Sequence, residues 1–435
     1  MSHYFKNNKI LDAISINKIF ISFVVLSFFS STVALGQVIK VRTTITPDRN
    51  NNPIVEERGM IQLTANGKDY EKRYLIRYPK SVSQWNQRLL IGAHGGSGGL
   101  LYDRDGRVIE TSETSLDDVI SGYAVEQGYA YASVDRDGIG GTREGLALTY
   151  AFTESAQNRI SKVYGKKAAY VYLTGLSAGG AITRYAAEDT DPKYDGVLII
   201  VGGGGGTTPQ LERQARLAAL WPEVDPVKYP DLPLTNAKVK AYAKEIGTPV
   251  EARPFWPFIG ARQTLANFRK TLERFGLTNL TDAQLRNFRM AEHRGNKTFT
   301  ANVEKAQAGG TTGQLTIPTI EVAATHDDIV IAGILEYKDK VRTVSKNADR
   351  PTPMEKHRLY KVWGAWHVST DDDALGTFQY FMSQVGIGDE VQDWLNTAGT
   401  YIPTLEEALG YLDNWVTKQQ IPPEDQMVKQ GEVLR

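Results

Sequence analysis

Residues 171–189 read VYLTGLSAGGAITRYAAED and set Ser177 between two glycines, where an apolar, β-branched run gives way to a helical pattern. Glycine tolerates backbone angles that other residues avoid, and serine is a common helix N-cap, so a purely structural turn would use the same residues. The chemical reading is a nucleophile elbow, G-x-S-x-G. There a sharp strand-to-helix turn exposes the serine hydroxyl, with the N-terminus of the helix behind it. Five common residues do not decide between these readings. What the rest of the chain supplies does.

A serine hydroxyl is a poor nucleophile until a base takes its proton, and that base needs an orienting acid. At an elbow of this kind the partners follow in the order serine, acid, histidine, at strand ends. The chain has six histidines. His3 lies in the N-terminal leader, and His293 lies in a helical stretch. His357 opens a strand and so sits at the wrong edge of a parallel sheet. His326 follows the strand IEVAA beside two acids, and His94 opens a glycine-rich loop. His367, just after the strand LYKVWG, is the one placed to act as base. The acid should follow the preceding strand, as Asp327 and Asp328 both do. In extended backbone they face opposite sides. The motif THDDIVI aligns best with Asp327 as the acid and leaves Asp328 a turn or capping role. The later acids 371–373 suit a helix cap. The loop AHGGSGG after RLLIG brings backbone N–H groups close to a ligand. With the N–H of Ala178, they would stabilise charge on a tetrahedral intermediate. No Lys-Ser/Thr pair follows these glycines, which argues against a phosphate-binding loop.

The elements that must position these groups are legible as patterns. ERGMIQLTANGKDYEKRYLIRYP alternates apolar and polar residues around Asn-Gly, the signature of a hairpin. Residues 42–52 read as a surface strand or loop. RLLIGA, AYASV, AAYVYLTGL and YDGVLII alternate with helical stretches, which implies a parallel sheet with helices on both faces. The run Gly202–Gly206 reads as a flexible strand exit. From residue 207 to about 315 strand signals fade. Leu265, Phe268, Leu272 and Phe275 share a helix face, and Thr281 with Gln284 forms a candidate capping box. This stretch is expected to be a helical cap (207–315) inserted into a sheet domain (37–206 and 316–435). Strands resume at PTIEVAA and HRLYKVW. An amphipathic helix near the end is stopped by Pro422 and Pro423.

Composition narrows the partners. Lys and Arg total 50 and Asp and Glu total 50, which removes the electrostatic case for nucleic acid or an anionic membrane. Cysteine is absent, so disulfides, thiolate metal sites and cysteine nucleophiles are excluded. Lys6, Lys9 and Lys18 precede IFISFVVLSFF and SSTVALGQ, the layout of a cleaved secretory leader over residues 1–36. Export without a lasting membrane anchor is therefore expected. Oligomeric state is not readable.

Taken together, HGG, GLSAGG, the aspartate after a late strand and the terminal histidine resemble the α/β-hydrolase superfamily of serine esterases. The resemblance covers most of residues 60–205 and 315–420. The closing EALGYLDNWVTKQQIPP is similar to secreted tannase and feruloyl-esterase-like enzymes. It implies an α/β-hydrolase fold with a mostly parallel sheet and a cap. It also implies Ser177 as nucleophile, Asp327 as acid, His367 as base, and Gly96 with Ala178 as oxyanion donors. Such enzymes often carry a cysteine pair flanking the triad, which this chain lacks. The expected activity is hydrolysis of a small or oligomeric carboxylic ester through an acyl-enzyme, with no metal or organic cofactor. Phe255, Trp256 and Phe258, in a loop rich in aromatics and proline, suggest an aromatic or phenolic acyl group. Trp366, beside the histidine, joins them as a candidate substrate contact. A serine peptidase or amidase, a hydrolase of hydroxyacid polyester oligomers and a non-catalytic binding protein on the same scaffold remain open from these residues alone.

Overall fold

The computed structural model describes residues 37–48, 50–95, 99–102, 108–112, 119–136, 142–203, 207–220, 237, 240, 265–308, 310–327, 330–346, 353–367, 399–429 and 432–435. The leader, Gly96, Phe255, Trp256, Phe258, Asp328 and the acids 371–373 lie outside the described residues.

The chain begins with a meander. Strands β1 (Gln37–Pro47), β2 (Pro53–Ala65) and β3 (Lys68–Pro79) pair antiparallel. Asn66 and Gly67 both have positive φ, 51° and 71°, which closes the β2–β3 turn where Asn-Gly placed it. The stretch read as a surface strand or loop is the edge strand β1. Strands β4 (Arg88–Ala93), β5 (Gly99–Tyr102), β6 (Val108–Ser112), β7 (Ala130–Val134), β8 (Tyr170–Leu176) and β9 (Gly196–Ile200) follow. After them come β10 (Thr319–Ala324), β11 (His357–Val362) and β12 (Gln426–Val428). All but β5 and β6 form one sheet in the order β1-β2-β3-β7-β4-β8-β9-β10-β11-β12. From β7 to β12 every neighbouring pair is parallel. This is the strand order of an α/β-hydrolase fold. The chain adds β7 on one side of β4 and β8 on the other, so the order reverses there. Crevices for ligands open at such reversals, beyond the carboxyl ends of the strands.

The helices are α1 (Ser121–Glu126), α2 (Thr142–Tyr164), α3 (Ala178–Ala187), α4 (Thr207–Leu220), α5 (Leu265–Arg274), α6 (Asp282–Arg286), α7 (Lys297–Ala308), α8 (Ile331–Lys346) and α9 (Ile402–Lys418). Continuous apolar strands need cover on both faces. Leu89, Ile91 and Leu173 pack with Phe152 of α2 and Ile182 of α3. Leu90, Tyr172 and Leu198 pack on the other face with Ala124 of α1 and Leu409 of α9. Burying a side chain the size of Leu or Phe is worth about 1.5–3 kcal/mol. These two faces, with dozens of such residues, therefore dominate over any single polar contact. Residues 207–220 and 265–308 have a separate apolar cluster, which includes Leu211, Phe268, Leu272, Leu285 and Phe299. Leu265, Phe268 and Leu272 are buried on one face as their spacing requires, and Phe275 is partly buried against Phe299. Thr281 and Gln284 form a reciprocal capping box. Among the described residues no helix is long and apolar enough to cross a membrane.

Two details depart from the sequence reading. Of the run Gly202–Gly206 read as a flexible exit, residues 204–206 lie outside the described residues, and Gly202 is in close contact with α3: a Cβ on Gly180 would stand 2.4 Å from its Cα. The short edge strand β12 was not anticipated, because three residues carry no periodicity.

A buried polar chain crosses the sheet domain. Arg184 of α3 pairs with Glu321 of β10, and both are almost completely buried. Glu321 Oε2 lies 3.7 Å from His357 Nε2, at the start of β11. Lys338 of α8 donates to His357 Nδ1 at 3.0 Å and reaches Asp425 at 2.6 Å. Burial, aided by the Lys338 charge, pushes the His357 pKa below its ordinary 6.5 against the opposing pull of Glu321 and Asp425. Burial alone would raise Glu321, but the Arg184 charge and the His357 contact outweigh it and hold it below 4.5. Removing one partner of a buried pair typically costs about 3–5 kcal/mol. Below pH 6.5 the unfolded chain protonates this imidazole more fully than the folded chain does. Unfolding then takes up protons, and stability falls with pH; Glu321 acts in the same direction below 4.5. The unfolding free energy should therefore decline as pH falls from 7 to 5. In His357→Gln, proton uptake on unfolding at pH 5.5, measured by calorimetry in buffers of different ionisation enthalpy, should drop by up to about one proton. Unchanged uptake would contradict the downward push of burial on His357.

Candidate active site

Ser177 terminates β8 and precedes α3 with φ 54° and ψ −116°. Positive φ in a residue with a Cβ is strained and persists only where the surroundings impose it. Here they do. The Ser177 N–H donates to Ile200 O at 3.1 Å, and the Ser177 carbonyl accepts from Gly180 N at 3.0 Å and Gly203 N at 2.5 Å. Gly179 lets the helix start against β4: a Cβ there would stand 1.7 Å from the Ala93 carbonyl oxygen. The glycines flanking the serine thus serve close approach, and the serine itself takes the strained angle.

Asp327 and His367 come from the next strands along the sheet. β10 ends at Ala324 and β11 at Val362, in parallel register Ala324↔Val362. Their pairing continues past the strand ends. Thr325 N–H donates to Val362 O at 3.1 Å, His326 N–H donates to Ala365 O at 3.0 Å, and Gly364 N–H donates to Thr325 Oγ1 at 3.1 Å. The loops that carry Asp327 and His367 are laced together before either reaches that residue. Thr325 was not singled out in the sequence; its only signal is a hydroxyl at the end of an otherwise apolar strand.

The three side chains form one hydrogen-bonded line. His367 Nδ1 lies 2.6 Å from Asp327 Oδ2, and His367 Nε2 lies 2.9 Å from Ser177 Oγ. A carboxylate only accepts, so Nδ1 carries the ring proton, and Nε2 is left to accept from the serine hydroxyl. Asp327 is fully buried, His367 nearly so, and Ser177 half-buried. The second carboxylate oxygen accepts from Val330 N at 3.3 Å. The line is thus anchored inside the protein and opens to solvent at the serine.

The remaining candidates divide. Ala178 is exposed at the first position of α3, and its amide is among those a helix leaves without an intrahelical acceptor. Gly96 lies outside the described residues; His94 and Gly95 precede it. His94 is buried, its Nδ1 donates to Gly95 O at 2.8 Å, and its Nε2 accepts from Arg136 N at 2.7 Å. Gly95 sits so close to the elbow that a Cβ would stand 2.8 Å from Ser177 Cβ. Trp366 has no exposed surface, so it packs inside the protein and offers no face to a substrate. His326 bonds Thr325 and meets Trp363 edge-on, and His293 stacks on Phe288. Among the described residues no group of three or more His, Cys, Asp or Glu side chains could hold a metal.

No family model matches the chain, and no curated protein does. Solved structures with a similar fold include tannin acyl hydrolase from Aspergillus niger, at 14% identity and TM-score 0.48 over 90% of this chain and 85% of that one. The rice cell wall degrading esterase LipA from Xanthomonas oryzae is similar at 10% identity and TM-score 0.47, over 83% and 98%. Feruloyl esterase B from Aspergillus oryzae is similar at 14% identity and TM-score 0.46, over 90% and 89%. The chain is similar to these structures; its α/β-hydrolase fold rests on its own strand order, and its chemistry has to be read from its own residues.

Proposed function

We propose that the chain is a carboxylic-ester hydrolase in which Ser177, His367 and Asp327 act as a catalytic triad. The observation that carries this is the continuous line Ser177 Oγ–His367 Nε2–Nδ1–Asp327 Oδ2 on a strained elbow. Ser177 Oγ attacks the ester carbonyl while Nε2 takes its proton, and a bond forms between Oγ and the acyl carbon. The resulting imidazolium is stabilised by Asp327. As the tetrahedral intermediate collapses, the bond to the alcohol oxygen breaks and Nε2 returns the proton to that oxygen. Water then attacks the acyl-enzyme by the same sequence and restores the serine. The amide of Ala178, with an N–H from the loop after β4, would receive the oxyanion.

Ser177→Ala should abolish turnover of p-nitrophenyl esters while leaving the unfolding midpoint unchanged. Asp327→Asn should lower kcat by roughly 10⁴-fold, as when a triad acid loses its charge. A folded Ser177→Ala protein that keeps more than a few per cent of activity would remove the serine from the mechanism.

The proposal extends to substrate and location. The aromatic side chains of Phe255, Trp256 and Phe258 favour aromatic or phenolic acyl groups, and hydrolysis of methyl hydroxycinnamates should exceed that of methyl butyrate in kcat/KM. The same panel, with p-nitroanilides added, tests ester against amide; faster anilide cleavage would reassign the enzyme as an amidase. Residues 1–36 support export, so protein recovered from outside the cytoplasm should begin at Gln37 by N-terminal sequencing. Recovery of the chain from the cytoplasm with Met1 intact would contradict this.

A further inference from the structure

The mechanism above leaves unused a cation buried on the helix that follows the serine. Arg184, on α3, is 1% exposed. Its Nη1 donates to Gly203 O at 3.1 Å, and its Nη2 donates to Gly202 O at 3.2 Å and to Glu321. The Tyr337 ring lies 4.5 Å from the guanidinium carbon and closes the far side. The carbonyls it holds belong to the strand exit that fixes the serine backbone. Ile200 O accepts from Ser177 N, and Gly203 N donates to Ser177 O. Both backbone polar groups of the strained residue are therefore held by residues 200–203, and Arg184 holds two of those four residues by their carbonyls. Glu321, its counter-ion, lies on β10, the strand that leads to Asp327.

A charged pair is a costly way to fill this space. Buried ion pairs often stabilise no more than apolar residues of equal volume, and some are kept for the geometry they impose. An apolar side chain here would leave the Gly202 and Gly203 carbonyls without this donor and free the strand exit to move. The elbow would then lose the contacts that sustain positive φ.

We propose that Arg184, charge-balanced by Glu321, is a positioning residue. It clamps Gly202 and Gly203 so that they hold Ser177 in its strained conformation, with the hydroxyl aligned on His367. The proposal rests on the reading of Ser177 as nucleophile.

The test uses the full chain with Arg184→Met/Glu321→Leu, which removes both charges at similar volume, and with Arg184→Lys, which keeps the charge but not the forked donors. Three quantities are measured: the unfolding midpoint, kcat and KM on a p-nitrophenyl ester, and the rate at which a fluorophosphonate modifies Ser177. The double variant should unfold near the parent midpoint, with kcat and modification rate reduced ~10- to 100-fold, the scale of loss from ångström-level misplacement. KM should stay within about twofold, since no substrate contact is removed. Arg184→Lys should fall between the two proteins. A folded double variant that is modified at the parent rate overturns the clamp and leaves the serine reading intact. If the double variant does not fold, Arg184→Lys decides: a reduced modification rate at a parent-like midpoint supports the clamp, and the parent rate overturns it. A parent protein that the reagent leaves unmodified at Ser177 overturns the serine reading and the clamp with it.

Discussion

The site depends on a backbone angle. Ser177 sits at φ 54°, where a side chain is unwelcome, and that angle turns its hydroxyl out of the end of β8 while α3 begins behind it. The angle is held by three hydrogen bonds: the Ser177 N–H donates to Ile200 O, and the Ser177 carbonyl accepts from Gly180 N–H and Gly203 N–H. Such strain costs of order 1–3 kcal/mol. It survives because the two apolar faces of the sheet fix β8 and β9 far more strongly than that. Stability generated in the core is thus converted into geometry at the rim.

The same logic places the histidine and the acid. Neither is fixed by its own loop alone. The register of β10 on β11 continues through Thr325, His326 and Gly364, so the loops that carry Asp327 and His367 leave the sheet as one laced unit. Parallel neighbours that end together can present their side chains to a common point, and the strand order reverses at β4, beyond whose carboxyl end such sheets open ligand crevices. His94 has a comparable part after β4: its two ring nitrogens tie Gly95 to Arg136 and bring that loop against the elbow.

Much of this was legible beforehand because it is local. Asn66-Gly67 announces a hairpin through its φ preference, the apolar runs announce buried parallel strands, and Thr281 with Gln284 announces a helix start. The Ser177 elbow and the place of His367 after the last long strand follow from chain order. What was not legible depends on pairs far apart in sequence. Glu321 gains its buried role only from Arg184, 137 residues earlier, which nothing local in the sequence reveals. Gly202 reads as slack because nothing nearby in the chain shows that Gly180 presses on it. Trp366 reads as a substrate contact from its neighbour His367, yet its ring is fully buried, which adjacency in the chain does not reveal.

The central claim is that Ser177 becomes covalently acylated during turnover. Rapid quenching in acid during hydrolysis of a p-nitrophenyl ester, followed by mass spectrometry of proteolytic peptides, tests it most directly. The account predicts a transient acyl group on the peptide that contains Ser177, appearing with the first equivalent of p-nitrophenol and absent once substrate is exhausted. Turnover with no acyl group on that peptide at any quench time, or with one on a different residue, would contradict it.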